Sequence, residues 1–273
     1  MNKSLLAGVA LVALIAGPAF AADMPVKAPV RMPVFDWSGF YIGANVGGSF
    51  GKASTDWVVA AASAGSTSGS LDGILGGFQV GYNWQVNSTW VAGLETDFDG
   101  TGQKGSSSFI VPSALSLALI DTNTAAVNLP WFGTIRGRFG LIPAEHWLVY
   151  ITGGAAYGEV TSNITSTVTT AGVPASMAAA TSNTVHTGWT VGGGVEAVLL
   201  GNWSARLEYL YVDLGLTGGT CAIAQPGASS AACFQGPSTF TPVSTSVHVT
   251  DNILRFGIDY RFAPTAVAVA AKY

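Results

Sequence analysis

The chain has 273 residues, of which 49% are hydrophobic and only 10% are charged, and its formal net charge at pH 7 is −4. Soluble domains usually contain about 25% charged residues, so this composition is unusual for a protein surrounded by water. The acidic balance, without a cluster of Lys and Arg, also argues against nucleic acid as a partner.

The N-terminus has the features of a secretory signal peptide. Lys3 supplies a positive charge, residues 5–15 form an apolar run, and Ala19-Phe20-Ala21 is a small-x-small cleavage site. The run is too short to span a bilayer as a helix; the alternative interpretation is a buried N-terminal helix. We predict that residues 1–21 are cleaved near Ala21 after export, and that the proline-containing residues 22–36 form a flexible leader.

From Phe40 onwards, apolar residues alternate strictly with glycine and polar residues. The same alternation recurs at 78–84 and 256–262. A period of two predicts strands with one apolar and one polar face. About eight strands are predicted, and the phase of the fifth is left open: 40–50, 76–85, 90–99, 131–141, 147–159, 185–198, 203–212 and one ending at Phe262.

The predicted connections alternate between short and long. Trp90, Trp147 and Trp203 each follow a short connection, which predicts an aromatic girdle at one membrane interface. A soluble sandwich would have no reason to align these indoles. The sequence therefore predicts an all-β fold, an eight-stranded antiparallel transmembrane barrel over residues 37–262 with a C-terminal tail, 263–273. Short periplasmic turns are expected at 86–89, 142–146 and 199–202, and long extracellular loops at 51–74, 100–128, 160–184 and 216–246.

The polar face of such a barrel points into the lumen. Side chains just fill an eight-stranded lumen, and a buried ion is costly without a partner, so we predict a charge network that plugs it. The alternative is a narrow charged pathway for small solutes. The predicted network consists of Glu95, Asp97, Asp99, Arg136, Arg138, Glu196, Arg206, Glu208, Arg255, Asp259 and Arg261.

Other motifs offer little chemistry. Cys221 and Cys233 are predicted to form a disulfide after export, with two free thiols as the alternative. Residues 100–105 match Gly-x-Gly-x-x-Gly, but no helical pattern follows, so we interpret them as a loop tip and not as a dinucleotide site. Residues 113–121 are apolar for a loop, and they either extend a strand or fold back over the barrel mouth. The sequence predicts no metal, cofactor or catalytic residue, and no enzyme.

Several segments resemble one known family. Trp37-Ser38-Gly39-Phe40-Tyr41-Ile42-Gly43 is similar to the opening strand of the alphaproteobacterial outer-membrane immunogenic protein family, within the small opacity-like porin superfamily. Residues 131–138, 152–158, 188–196 and 207–215 resemble its later strands. The resemblance implies an abundant, surface-exposed, eight-stranded barrel in a Gram-negative outer membrane, and the family offers no catalytic residues.

These observations predict a structural protein and surface antigen of the cell envelope. The alternatives are a small porin, and an adhesin or receptor that acts through the loops at 160–184 and 216–246. The expected partners are outer-membrane lipid and lipopolysaccharide, the barrel-assembly machinery, and host or phage molecules at the loops. The assembly machinery reads a C-terminal aromatic residue, for which Phe262 and Tyr273 are the candidates; our hypothesis is Tyr273.

Overall fold

The computed structural model of the chain describes residues 35–59, 63–112, 119–170, 173–222 and 242–262. Each strand pairs antiparallel with the next, and β1 pairs with β8, which closes the barrel. The predicted fold class is confirmed. The strands are β1 (Gly39–Val59), β2 (Ser63–Gln85), β3 (Trp90–Pro112), β4 (Leu119–Ala144), β5 (Trp147–Thr170), β6 (Val173–Leu200), β7 (Trp203–Ala222) and β8 (Pro242–Phe262).

Tight turns join the strands at one end of the barrel, which we call the short-turn end. In the turn between β2 and β3, the side-chain oxygen of Asn87 accepts hydrogen bonds from the backbone N–H groups of Thr89 and Trp90, at 2.8 and 2.9 Å. The turn between β6 and β7 contains Gly201 at a φ of 55°, a conformation that glycine adopts without strain. In the described part of the chain, no helix has the length and hydropathy needed to cross a bilayer.

The strands are longer than the sequence analysis predicted. They contain between 20 and 28 residues, whereas about 9–11 suffice to span a membrane. Much of the predicted loops at 51–74, 100–128, 160–184 and 216–246 is therefore strand. Residues 100–105 lie within β3, at a register irregularity between Gly100 and Gln103, and not at a loop tip. Residues 119–121 begin β4, whereas 113–118 lie outside the described residues.

The polarity of the two barrel faces inverts along the strands. Near the short-turn end of β7, Leu207 points outward and Arg206 inward. Further along the same strand, Leu210 and Val212 point inward and are buried, whereas Asp213 is only partly buried. The first pattern is that of a strand facing lipid, and the second is that of a sheet facing water. We call these two zones the band and the extension.

Side chains fill the barrel interior in three layers. A lower apolar layer at the short-turn end contains Trp37, Val91, Leu148 and Tyr150. The charged side chains form the middle layer. An upper apolar layer in the extension contains Ala53, Leu71, Leu75, Val127, Leu129, Phe132, Ala156, Val160, Leu210, Val212, Leu214, Val247, Val249 and Ile253.

The residues before β1 help to close the lower layer. The backbone N–H of Trp37 donates to the side-chain oxygen of Gln85 at 2.8 Å, and the indole is completely buried. The guanidinium of Arg261 lies 4.5 Å from the centre of the Trp37 ring and 4.9 Å from that of Phe35. Residues 35–37 therefore lie against the mouth of the barrel; of the predicted leader 22–36, residues 22–34 lie outside the described residues.

Candidate functional site

The middle layer brings together all of the charged residues that the alternation predicted. They come from β3, β4, β6, β7 and β8, and none is more than 5% exposed. Each strand contributes them at alternate positions, because only alternate side chains of a strand face the lumen. We call the set of these side chains the charged layer.

Glu95 lies at the centre of the charged layer. Its two carboxylate oxygens accept hydrogen bonds from Arg136 and Arg206 on different strands. The Tyr41 hydroxyl donates a third hydrogen bond at 2.6 Å. The guanidinium of Arg138 approaches the same carboxylate to 3.6 Å, and that of Arg255 to 3.8 Å. One carboxylate thus ties β1, β3, β4, β7 and β8 together.

Arg255 connects three further carboxylates on the side facing the extension. Its guanidinium nitrogens lie 2.8 Å from Asp97, 3.0 Å from Asp99 and 2.6 Å from Glu208. Glu208 also accepts hydrogen bonds at 3.0 Å from Arg136 and from the Tyr150 hydroxyl. Such multiple charge-assisted hydrogen bonds are what make a buried ionic cluster tolerable.

A second cluster surrounds Glu196 next to the lower apolar layer. Arg138 and Arg261 approach this carboxylate to 2.8 and 3.3 Å, and the Ser204 hydroxyl donates to it at 2.6 Å. The guanidinium of Arg138 also lies 4.0 Å from the centre of the Tyr150 ring. The charged and lower apolar layers are therefore joined through cation–π contacts.

The sequence analysis missed the uncharged partners of this layer. The side-chain amide of Gln79 donates a hydrogen bond of 2.9 Å to Asp259 and accepts one of 2.8 Å from Asn45. The Asp259 carboxylate also lies 3.4 Å from the guanidinium of Arg206. Gln79 and Asn45 alternate with outward apolar residues of β2 and β1. The alternation that predicted the inward charged residues therefore also places these two amides on the lumen side.

Asp251 was missed as well, and it differs from the other inward carboxylates. It is 2% exposed, and it accepts a hydrogen bond of 2.6 Å from Gln103, which also donates to Ser49. No Lys, Arg or His in the described ranges lies within ion-pair distance of it. Asp251 was not predicted because it precedes the segment 256–262, in which the alternation of the last strand was recognised.

The other predicted residues occupy the following places. Trp90, Trp147 and Trp203 are the first residues of β3, β5 and β7, and are 40%, 51% and 49% exposed on the outer face. Phe262 ends β8, with its ring 5.7 Å from that of Phe40. Cys221 lies in β7. Cys233, Tyr273, the predicted signal peptide 1–21 and the tail 263–273 lie outside the described residues.

The structure also resolves the phase of the fifth strand. In β5, Trp147, Val149 and Ile151 face outward, and Leu148 and Tyr150 face the lumen. In the described part of the chain, no three His, Cys, Asp or Glu side chains are placed to hold a metal ion together.

Known outer-membrane proteins are similar to this chain in sequence. Residues 7–262 match the model of a family described as outer membrane protein beta-barrel domain. The chain is 39% identical over 225 residues to the 31 kDa outer-membrane immunogenic protein of Brucella melitensis, covering 79% of this chain and 88% of the relative. It is 31% identical to the 22 kDa outer membrane protein of Rhizobium leguminosarum bv. viciae, covering 68% of both chains.

Among solved structures, similar chains have low sequence identity to this one. The outer membrane protease OmpT of Escherichia coli is 10% identical with a TM-score of 0.46, covering 82% of this chain and 97% of that one. The attachment invasion locus protein Ail of Yersinia pestis is 12% identical with a TM-score of 0.30, covering 79% and 98%. The family match spans the strands that carry both the outward apolar band and the inward charged layer. This chain is therefore an outer-membrane protein that belongs to the outer membrane protein beta-barrel domain family and is similar to the outer-membrane immunogenic proteins.

Proposed function

We propose that the protein is a closed, structural barrel that stabilises the outer membrane and displays surface antigens, without conducting ions. The observation that carries this proposal is the filling of the barrel interior by three successive layers. Trp37 and Leu148 in the lower layer, and Leu71 and Leu210 in the upper layer, are completely buried.

The two apolar layers oppose conduction more strongly than the charged layer does. A charged lumen alone attracts ions, as the porin alternative requires. An ion that crosses this barrel must also pass apolar constrictions at both ends of the charged layer, and hydrophobic constrictions hinder ions because water is lost from them. The arrangement therefore favours the structural role over a pore.

We also propose that the protein has no enzymatic activity. The carboxylates that most resemble a cluster of acid–base groups are those of Glu95, Asp97 and Glu208. Each of them forms ion pairs with at least two arginines. A general acid or base must reach its substrate directly or through one water. The apolar layers on both sides of the charged layer separate these carboxylates from such a substrate.

The partners that fit this role are proposals too. Lipid and lipopolysaccharide would contact the outward side chains of the band, where Phe78, Ile74 and Ile151 are each more than 60% exposed. The barrel-assembly machinery would read the C-terminal aromatic residue. Host or phage molecules would meet the connections between the strands of the extension.

The proposal is tested by single-channel recording in a planar bilayer. The protein is refolded in detergent, and its folding is checked by the change of gel mobility on heating. We expect a silent bilayer under conditions in which a general porin, added to the same chamber, produces stepwise currents.

Stepwise currents from this protein would contradict the proposal. The variant Glu95→Gln then shows where the ions pass, because a current through the charged layer changes its ion selectivity when a central carboxylate is neutralised. Glu145→Gln is the matched control, since Glu145 lies in the exposed turn before β5. Currents from both variants with the selectivity of the unmodified protein would point to leakage around the barrel.

The proposed role of Tyr273 has a separate test. A chain that lacks residues 263–273 ends at Phe262 and still contains all of β8. If Tyr273 is the residue that the assembly machinery reads, this truncation reduces insertion into the outer membrane of intact cells, as measured by the amount of heat-modifiable protein. Unchanged insertion would identify Phe262 as sufficient and would contradict the hypothesis. Tyr273→Ala in the full chain separates loss of the aromatic ring from loss of the tail.

A further inference from the structure

The outer wall of the band contains a groove, and the ligand inferred for it rests on the contact with lipid proposed above. Ile42, Phe78, Val80, Thr96 and Phe98 are among the side chains that line it. All of them belong to the outward set of the band. The groove is almost entirely apolar at the surface, because its charged and amide neighbours point into the lumen.

The strand register explains the shape of the groove. One row of paired outward residues contains Ile258, Ala44, Phe78 and Phe98, from β8 to β3. The next row, two residues closer to the short-turn end, contains Tyr260, Ile42, Val80 and Thr96. The groove runs between these rows across the strands. Two residues along a strand span roughly 7 Å, so the groove is only one chain wide.

The two ends of the groove differ. At one end is Trp203, which pairs with Tyr260 and is the first residue of β7. At the other end is Tyr157, whose ring lies against the backbone of Gly133 on the neighbouring strand and packs edge-on against Trp131 at 6.4 Å. The first end is at the aromatic girdle of the short-turn end, and the second is closed by aromatic rings.

The groove climbs away from the short-turn end as it crosses the strands. Trp203 begins β7, whereas Thr96 is the seventh residue of β3, which starts at Trp90. Four strand spacings separate β7 from β3 in the closed barrel, which corresponds to roughly 19 Å at ~4.8 Å per spacing. A flexible linear molecule that enters at Trp203 would thus extend from the headgroup level into the hydrocarbon.

We propose that this groove binds one acyl chain of a phospholipid from the periplasmic leaflet. Its apolar surface, its width of a single chain and its continuity with the band match an acyl chain. Its entrance at the short-turn end matches the leaflet, since short turns are periplasmic in this class of barrel. Binding comes from close van der Waals packing, because transfer from surrounding lipid into the groove provides no hydrophobic gain.

The proposal is tested by native mass spectrometry of the full, refolded protein in detergent micelles containing dioleoyl phosphatidylethanolamine. We expect a species with one retained phospholipid. Ala44→Phe places a ring in the groove and is expected to reduce the retained fraction about tenfold, the effect of losing about 1.4 kcal/mol of packing. Val80→Phe fills the groove from the neighbouring row and serves as the second variant should the first fail to fold.

Ala92→Phe is the matched control. Ala92 also faces outward on β3, but it pairs with Trp84 and Phe139 and does not line the groove. This variant should retain phospholipid as the unmodified protein does. Equal retention in the Ala44→Phe or Val80→Phe variant, or equal loss in the control, would overturn the proposal.

Two further outcomes would also overturn it. If purified lipid A displaces the phospholipid from a mixed sample and is itself lost in Ala44→Phe, the groove takes its acyl chain from the other leaflet. If the unmodified protein shows a dimer that Ala44→Phe abolishes, with no lipid retained, a second copy of the chain occupies this wall.

Discussion

Glu95 illustrates how single residues of the charged layer act. Its side chain is nearly completely buried and contacts guanidinium groups from three other strands. Replacing a complete buried ion pair by apolar residues is often harmless, whereas removing one partner leaves an unpaired charge and is costly. The contribution of Glu95 to stability therefore depends on the arginines that remain when it is changed.

We predict that Glu95→Gln lowers the free energy of unfolding by about 3 kcal/mol, because it leaves Arg136 and Arg206 without their shared carboxylate. Reversible urea unfolding of the barrel in lipid vesicles measures this change. Glu145→Gln, in the exposed turn, should have an effect within about 0.5 kcal/mol. Similar unfolding midpoints for the two variants would show that the charged layer does not hold the barrel together.

At this scale, the sequence predicted the charges better than their partners. Arg136 and Glu208 alternate with aromatic and aliphatic residues, so the sequence predicted that they face the lumen. Gln103 and Asp251 lie where the outward residues become polar, and the alternation that marks a lipid-facing strand ends there. Which arginine meets which carboxylate depends on contacts between strands that are distant in the sequence, as with Arg255 and Asp97.

Among the strands, the close pairing of β6 with β7 depends on several glycines, and Gly188 has the least room for a side chain. The described pairs run from Leu200 with Trp203 to Trp189 with Asp213. A methyl group on Gly188, the next residue, would overlap the backbone carbonyl oxygen of Asp213. Only a residue without Cβ allows the two strands to approach so closely at this point.

Replacement of this glycine should therefore destabilise the barrel. For Gly188→Ala we expect a loss of about 1–3 kcal/mol, since the added methyl group must displace backbone atoms. Gly137→Ala is the control, because a methyl group there would have its nearest neighbour at 3.9 Å, and we expect an effect within about 0.5 kcal/mol. The temperature at which each variant loses its heat-modifiable form ranks the stabilities of the two proteins. A Gly188→Ala protein as stable as the control would contradict the predicted overlap.

The sequence located the strands but not their far ends. Each predicted strand lies almost entirely within a strand of the structure, and the short turns fall near their predicted positions. The far ends were missed because serine and threonine at outward positions, such as Ser68 and Ser106, are typical of loops as well as of strands in water. Burial of Leu71 and Val127 on the inner face is what keeps this part of the sheet paired.

We propose that the whole barrel meets two environments, hydrocarbon around the band and water around the extension. The outer face is apolar in the first and polar in the second, and the inner face has the opposite order. The number and order of strands were predictable because the hydrophobic period survives in the band. The inversion was not, because it requires knowing that the strands continue past the membrane.

Substitutions on one strand should report this inversion directly. Ile151 and Thr161 both face outward on β5, in the band and in the extension. We predict that Ile151→Arg reduces the free energy of unfolding by about 2–4 kcal/mol, as for arginine facing the middle of a bilayer. Thr161→Arg should change it by less than about 1 kcal/mol, because its side chain reaches water. Folding titrations into phospholipid vesicles measure both, and equal costs would contradict the proposed height of the membrane.

The upper apolar layer also makes this protein suitable for engineering as a display scaffold. Inward leucines and valines of the extension pack as they would in a water-soluble domain, so the strands do not need lipid at this height. A foreign epitope inserted between β7 and β8 would be attached to a support that is independent of membrane thickness and lipid composition. The same insertion on a barrel whose strands stop at the headgroups would lie directly at the membrane surface and would be less accessible to antibodies.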